Sequence, residues 1–185
     1  MFTRPALAAL LVAFTSFTPA RAQHQEHHGG QGAQHAAGAS PYAGFEKRPI
    51  KALSEQQIAD LRAGRGMGLA LAAELNGYPG PLHVIELADS LRLTPEQRTH
   101  MEALYTSMRS ETAVLGERLI QQEADLDRLF ASRTVTRASL STATSTIGAT
   151  QAALREAHLR FHLATVEVLT PEQVVRYNEA RGYGR

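Results

Sequence analysis

Leu93-Thr94-Pro95-Glu96-Gln97 decides the reading of this chain, because the same five residues return as Leu169-Thr170-Pro171-Glu172-Gln173. Each copy has the grammar of a helix start. A threonine at the N-cap offers its hydroxyl to an orphan backbone N–H, and a proline at the first helical position lacks an N–H that would have had no partner. The glutamine at the third helical position reaches back to the cap residue's own N–H and closes a capping box. Leu169 and Val174 have the spacing of a hydrophobic staple; in the first copy that place falls to the aliphatic stem of Arg98. Leu53-Ser54-Glu55-Gln56-Gln57, ahead of Ile58, is a looser third version.

The stretches between these caps carry helical periodicity. Ile58 and Leu61 open the first, and Gly64, Gly66 and Gly68 break it, since each glycine costs about 1 kcal/mol against alanine inside a helix. Asn76-Gly77 and Pro79-Gly80-Pro81 form a stop and a rigid turn, and a short helix over Leu82–Ser90 leads to the first repeated cap. The next helix runs from Pro95 to near Ala131, about 55 Å at 1.5 Å per residue. Met101, Met108, Leu115 and Leu129 share one heptad position in it, with Gln122 filling the gap. After a turn at Ser132–Thr136, Leu140, Ile147, Leu154, Phe161 and Val168 repeat every seven residues, each of the first four followed by a small residue at Ala143, Thr150, Ala157 or Ala164. Large residues alternating with small ones let two helices approach closely. Leu159, Leu163 and Val166 add a second apolar face, and a last helix covers Pro171 to about Ala180. No segment has sustained period-two alternation. The chain is therefore expected to be all-α: an elongated antiparallel helical hairpin with additional short helices folded against it.

The doubled Leu-Thr-x-x-Gln in a short helical chain resembles the Spy/CpxP family of periplasmic stress proteins, a group related to periplasmic heavy-metal-binding and metal-sensing proteins. The resemblance covers residues 53–183 as architecture, and its literal motif is Leu93, Thr94, Gln97, Leu169, Thr170 and Gln173. It implies a thin helical homodimer that holds unfolding proteins without ATP.

Export fits that resemblance. Arg4, the mostly apolar Pro5–Phe17 and the small-x-small Ala20-Arg21-Ala22 read as a signal peptide cleaved after residue 22. Thr15, Ser16 and Thr18 interrupt the apolar run early, short of the roughly 18 residues a spanning helix wants. The mature chain is thus expected in the periplasm without stable membrane insertion. Cysteine is absent, which excludes a disulfide framework and lipidation after the signal. Loss of Arg4 and Arg21 brings the 19 Lys and Arg just below the 18 Asp and Glu, so no cationic surface suited to nucleic acid is expected. Residues 23–40 hold almost only His, Gln, Gly and Ala and read as disordered. Residues 41–52 form a tether whose Tyr42 and Phe45 are candidates to dock on the body. The helical domain spans 53–181, and 182–185 are a tail.

Histidine carries the only candidate chemistry. His24, His27, His28 and His35 cluster in the N-terminal segment, and neutral imidazoles suit zinc, copper or nickel. His158 and His162, at i and i+4, project from one helical face; they are either two ligands or two polar residues on an amphipathic flank. His83 and His100 have no histidine nearby in sequence. Gly64-x-Gly66-x-Gly68 lacks the strand and spacing of a nucleotide loop, and no Gly-x-Ser-x-Gly elbow accompanies the serines near residue 140. Nothing requires an enzyme or an obligatory cofactor. Two functional expectations follow: an ATP-independent chaperone or envelope-stress protein for misfolded periplasmic clients, or a heavy-metal-binding or metal-responsive protein using its histidines. An adaptor that restrains a sensor kinase is a third.

Overall fold

A computed structural model describes residues 40–183; the expected signal peptide and His24, His27, His28 and His35 lie outside the described residues. All regular structure within them is helical: α1 (Glu55–Arg62), α2 (Leu71–Glu74), α3 (Pro81–Glu86), α4 (Pro95–Ala131), α5 (Arg137–Val168) and α6 (Pro171–Ala180), preceded by a single 3₁₀ turn at Phe45–Lys47. Helices α4 and α5 form an antiparallel hairpin, tied by Arg160 to Glu111 at 2.6 Å midway and by the Gln97 amide to the Val168 carbonyl at 2.9 Å near its open end. Helices α1 to α3 lie against this hairpin.

The three anticipated capping boxes close at Ser54–Gln57, Thr94–Gln97 and Thr170–Gln173. A fourth, Thr136–Ser139, starts α5; a serine in place of Glu or Gln at the third position had masked it. The two repeated caps also meet. Gln97 Nε2 donates to Gln173 Oε1 and Gln173 Nε2 to Gln97 Oε1, both at 2.9 Å, and the spare N–H groups reach the carbonyls of Val168 and Leu91. One pair of amides thereby joins the starts of α4 and α6 to the end of α5.

Two apolar clusters fill the interior. Ile50, Leu53, Leu61, Leu119, Ile120, Ile147 and Leu154 form one, under α1. Val84, Ala88, Leu91, Leu93, Met101, Leu169 and Tyr177 form the other, at the open end of the hairpin. Helix α1 crosses α4 so closely that a Cβ on Gly116 would stand 2.3 Å from the Leu61 carbonyl oxygen.

Several expectations need correction. The buried stripe of α4 runs Met101, Met108, Thr112, Leu119 rather than along strict heptads, because a straight helix turns every 3.6 residues and drifts off a seven-residue repeat. Leu115 is half-buried and Leu140 exposed, the latter near the turn where only two helices pack. Tyr42 and Phe45 remain exposed; Ile50 docks instead, and the Arg48 guanidinium lies 3.5 Å over the Phe45 ring. The second apolar face of α5 stands as expected in being partly open: Leu163 is 53 % exposed, while His158 is buried against Gly66 and His162 against Gly80.

Candidate functional site

Between the two apolar clusters a cleft of about 360 Å³ opens, lined by the glycine-rich stretch 63–68, by Glu74, Gly80 and His83, by Tyr105, Met108 and Arg109 of α4, and by His158 and His162 of α5. Glycine shapes its walls. Gly64 has φ +65°, and a Cβ there would lie 2.6 Å from Thr112 Oγ1, whose hydroxyl donates to the Gly64 carbonyl at 3.2 Å. At Gly80 a Cβ would come within 2.9 Å of the His162 ring. At Gly80 the backbone can approach the imidazole so closely only because the position lacks a side chain.

His158 is 2 % exposed, and its Nε2 has no hydrogen-bond partner among the described residues. Burial, with a smaller contribution from neighbouring His162, holds its pKa below the usual histidine value, so the ring is neutral near pH 7 and offers a lone pair. His162 is also buried. Its Nδ1 lies 2.6 Å from the Tyr78 carbonyl oxygen. A carbonyl only accepts, so Nδ1 carries the proton and Nε2 keeps its lone pair, the arrangement that orients metal-ligating histidines.

Glu74, at the end of α2, is a buried carboxylate with many partners. Oε1 accepts from the Tyr177 hydroxyl at 2.5 Å and from Tyr183 at 3.2 Å, and Oε2 accepts from the Gly80 amide at 3.3 Å. His83 Nδ1 stands 3.5 Å from Oε1, His162 Nδ1 3.8 Å from Oε2 and Arg181 Nε 3.8 Å from Oε1. Burial alone would raise its pKa. Hydrogen bonds from His83 and Tyr177 and the charge of nearby imidazoles prevail and hold it at about 2. Tyr177 is pushed the other way, above the usual tyrosine range, by burial and then by Glu74.

The sequence pair His158 and His162 is therefore buried together, and the structure adds Glu74 and His83, whose side chain is 37 % exposed at the cleft. Sequence reasoning missed both, since a lone carboxylate and a lone histidine across the Asn76–Pro81 turn have no diagnostic spacing. Among the described residues no three His, Cys, Asp or Glu side chains stand already assembled around one point. The donor set by its chemistry nevertheless suits a metal: an orphaned buried imidazole nitrogen, a second imidazole fixed in its ligating tautomer, a carboxylate and a partly exposed histidine. Leu93, Thr94, Gln97, Leu169, Thr170 and Gln173 serve the helix starts and their cross-link, away from this cleft. Among the described residues no helix is long and apolar enough to cross a membrane.

A family profile described as heavy-metal resistance matches residues 68–176. No curated protein and no solved structure matches the chain.

Proposed function

The chain belongs to the heavy-metal resistance family, and from that premise we propose that it is a non-enzymatic periplasmic protein that binds a divalent heavy-metal ion in the cleft between its two apolar clusters. His158 and His162 would supply nitrogen ligands, with Glu74 and His83 completing the shell, and the bound ion would be held as cargo or signal. The observation that carries the reading is the unpartnered Nε2 of His158 in a deeply buried position. A buried polar atom without a partner costs about 1–3 kcal/mol, a cost that an incoming cation would relieve. The family match also contains all four proposed ligands and none of His24, His27, His28 and His35, which favours the cleft over the N-terminal segment. Imidazole and carboxylate donors suit Zn²⁺, Ni²⁺ or Cu²⁺.

The test is calorimetric titration of these three ions into the mature chain, into a variant with His24, His27, His28 and His35 changed to alanine, and into H158A/H162A. The cleft reading expects the tail variant to keep a one-to-one site that H158A/H162A weakens at least tenfold. Binding that vanishes with the four tail histidines would instead assign metal capture to that segment.

A specific observation supports the second reading, a Spy/CpxP-like chaperone. Leu75 and Val175, both more than half exposed, line one shallow surface depression between the α2 end and α6. Exposed apolar side chains at one place suit weak capture of unfolded chains. Delay of client aggregation without nucleotide, weakened in L75S/V175S, supports this activity; no delay at a large molar excess dismisses it.

A further inference from the structure

Accepting the cleft as the metal site, we propose that Tyr177 sets its affinity by competing with the ion for Glu74, so that metal uptake loosens the C-terminal helix α6. The oxygen Oε1 of Glu74 is the one His83 faces, at 3.5 Å. Both lone pairs of that oxygen are already engaged, by the hydroxyls of Tyr177 and Tyr183. An ion shared with His83 can therefore be bound by Oε1 only when a hydroxyl lets go. In the structure Oε1 is thus committed to Tyr177 of α6 and to Tyr183 just beyond it, while Oε2 holds the Gly80 amide.

Release has a consequence for α6. Tyr177 is fully buried, and Glu74 is the only partner of its hydroxyl among the described residues. Once Glu74 turns to the cleft, the hydroxyl is stranded in an apolar cluster, an unfavourable state unless the helix shifts. Tyr177 stands one turn after Gln173, the residue that ties α6 to Gln97. Tyr183 and Arg181, which also face Glu74, lie beyond the helix end and would be freed first.

The rival role for Tyr177 is that of an outer-shell support that merely orients Glu74. Loss of such a support weakens metal binding by about 10–100-fold. Competition has the opposite sign. We therefore expect Tyr177→Phe in the full mature chain to bind Zn²⁺ about tenfold more tightly than wild type, equivalent to about 1.4 kcal/mol, and Glu74→Gln to bind at least tenfold more weakly. Hydrogen exchange gives a second readout that needs no substitution. Ligand binding ordinarily slows exchange, yet amides of residues 172–183 should exchange faster with Zn²⁺ present, while those of α4 beside the cleft slow. Equal or weaker Zn²⁺ binding by Tyr177→Phe overturns the proposal, as does protection of α6 on metal addition; if Tyr177→Phe does not fold, the exchange result decides. Wild-type affinity in H158A/H162A removes the cleft reading itself, and this proposal with it. Cleft binding with the wrong sign at Tyr177 removes this proposal alone.

Discussion

Two glycines in the long helices should respond oppositely to the same substitution. Gly116 sits where α1 crosses α4, and an added Cβ would meet the Leu61 oxygen at 2.3 Å, its carbonyl carbon at 2.8 Å and its Cα at 3.1 Å. All three are backbone atoms, so no side chain can rotate away. Helix α1 must retreat by about 1 Å to restore ordinary contact, lifting Leu61 and its neighbours from Leu119, Ile120, Ile147 and Leu154. Overpacking of this kind costs about 1–3 kcal/mol, and a rigid partner puts it near the top. Alanine returns about 1 kcal/mol of helix propensity, which leaves a net loss of about 2 kcal/mol. Gly148, in α5, has nothing within 4 Å of its would-be Cβ, so Gly148→Ala should gain the full propensity term of about 1 kcal/mol. For a chain of this size about 1 kcal/mol moves Tm by roughly 2–4 °C. Thermal and urea denaturation of the protein from residue 23 onward should show Gly116→Ala melting roughly 4–8 °C lower and Gly148→Ala roughly 2–4 °C higher, with unchanged urea slopes. Equal stabilisation by both would show that α1 does not cross α4 at Gly116, and the cleft wall built on that crossing would fall.

The glutamine pair should be energetically coupled: in a double-mutant cycle with Gln97→Ala and Gln173→Ala, urea midpoints should give a coupling of about 1–2 kcal/mol, and simple additivity would show that the reciprocal bonds at the helix starts contribute nothing. Stability should also fall in acid through Glu74. Its folded pKa, about 2, lies below the usual 4.5, so the unfolded chain binds the proton more readily; stability is fully present above pH 4.5 and is lost as pH falls towards 2. That gap corresponds to about 3 kcal/mol at most. Tm measured from pH 6 to 2 should fall less steeply in Glu74→Gln, and parallel curves would mean that the carboxylate is not held in this way.

Helix starts were the most legible part of the sequence, because a capping box is local: threonine, proline and glutamine act within four residues. The bounds of α4, α5 and α6 follow the caps and the turns between them. Burial along α4 was less legible, since the repeat of seven holds only while one partner runs alongside, and α1 crosses at Gly116, one residue past the heptad position, which leaves Leu115 only half-buried. The cleft was half legible. His158 and His162 stand out by spacing alone. Glu74 and His83 do not, because their relation to α5 depends on how the Asn76–Pro81 turn folds α2 and α3 back on the hairpin, with His162 Nδ1 on the Tyr78 carbonyl.

A polar seam between two apolar clusters is a poor way to stabilise a small helical domain, and that bears on why it is there. His158 and His162 occupy the places in α5 between Leu154 and Leu169 where apolar residues would merge the two cores into one. An unpartnered buried nitrogen such as His158 Nε2 forfeits about 1–3 kcal/mol, whereas leucine at a similar volume would return apolar burial. His158→Leu is therefore expected to raise Tm by roughly 2–4 °C, as about 1 kcal/mol of net gain would do, while weakening Zn²⁺ binding at least tenfold by calorimetry. Gain of stability with loss of binding is the signature of a residue kept for function at the expense of the fold. A stability loss on His158→Leu would show instead that the imidazole is a satisfied structural element, and the cleft would lose the atom on which its assignment rests.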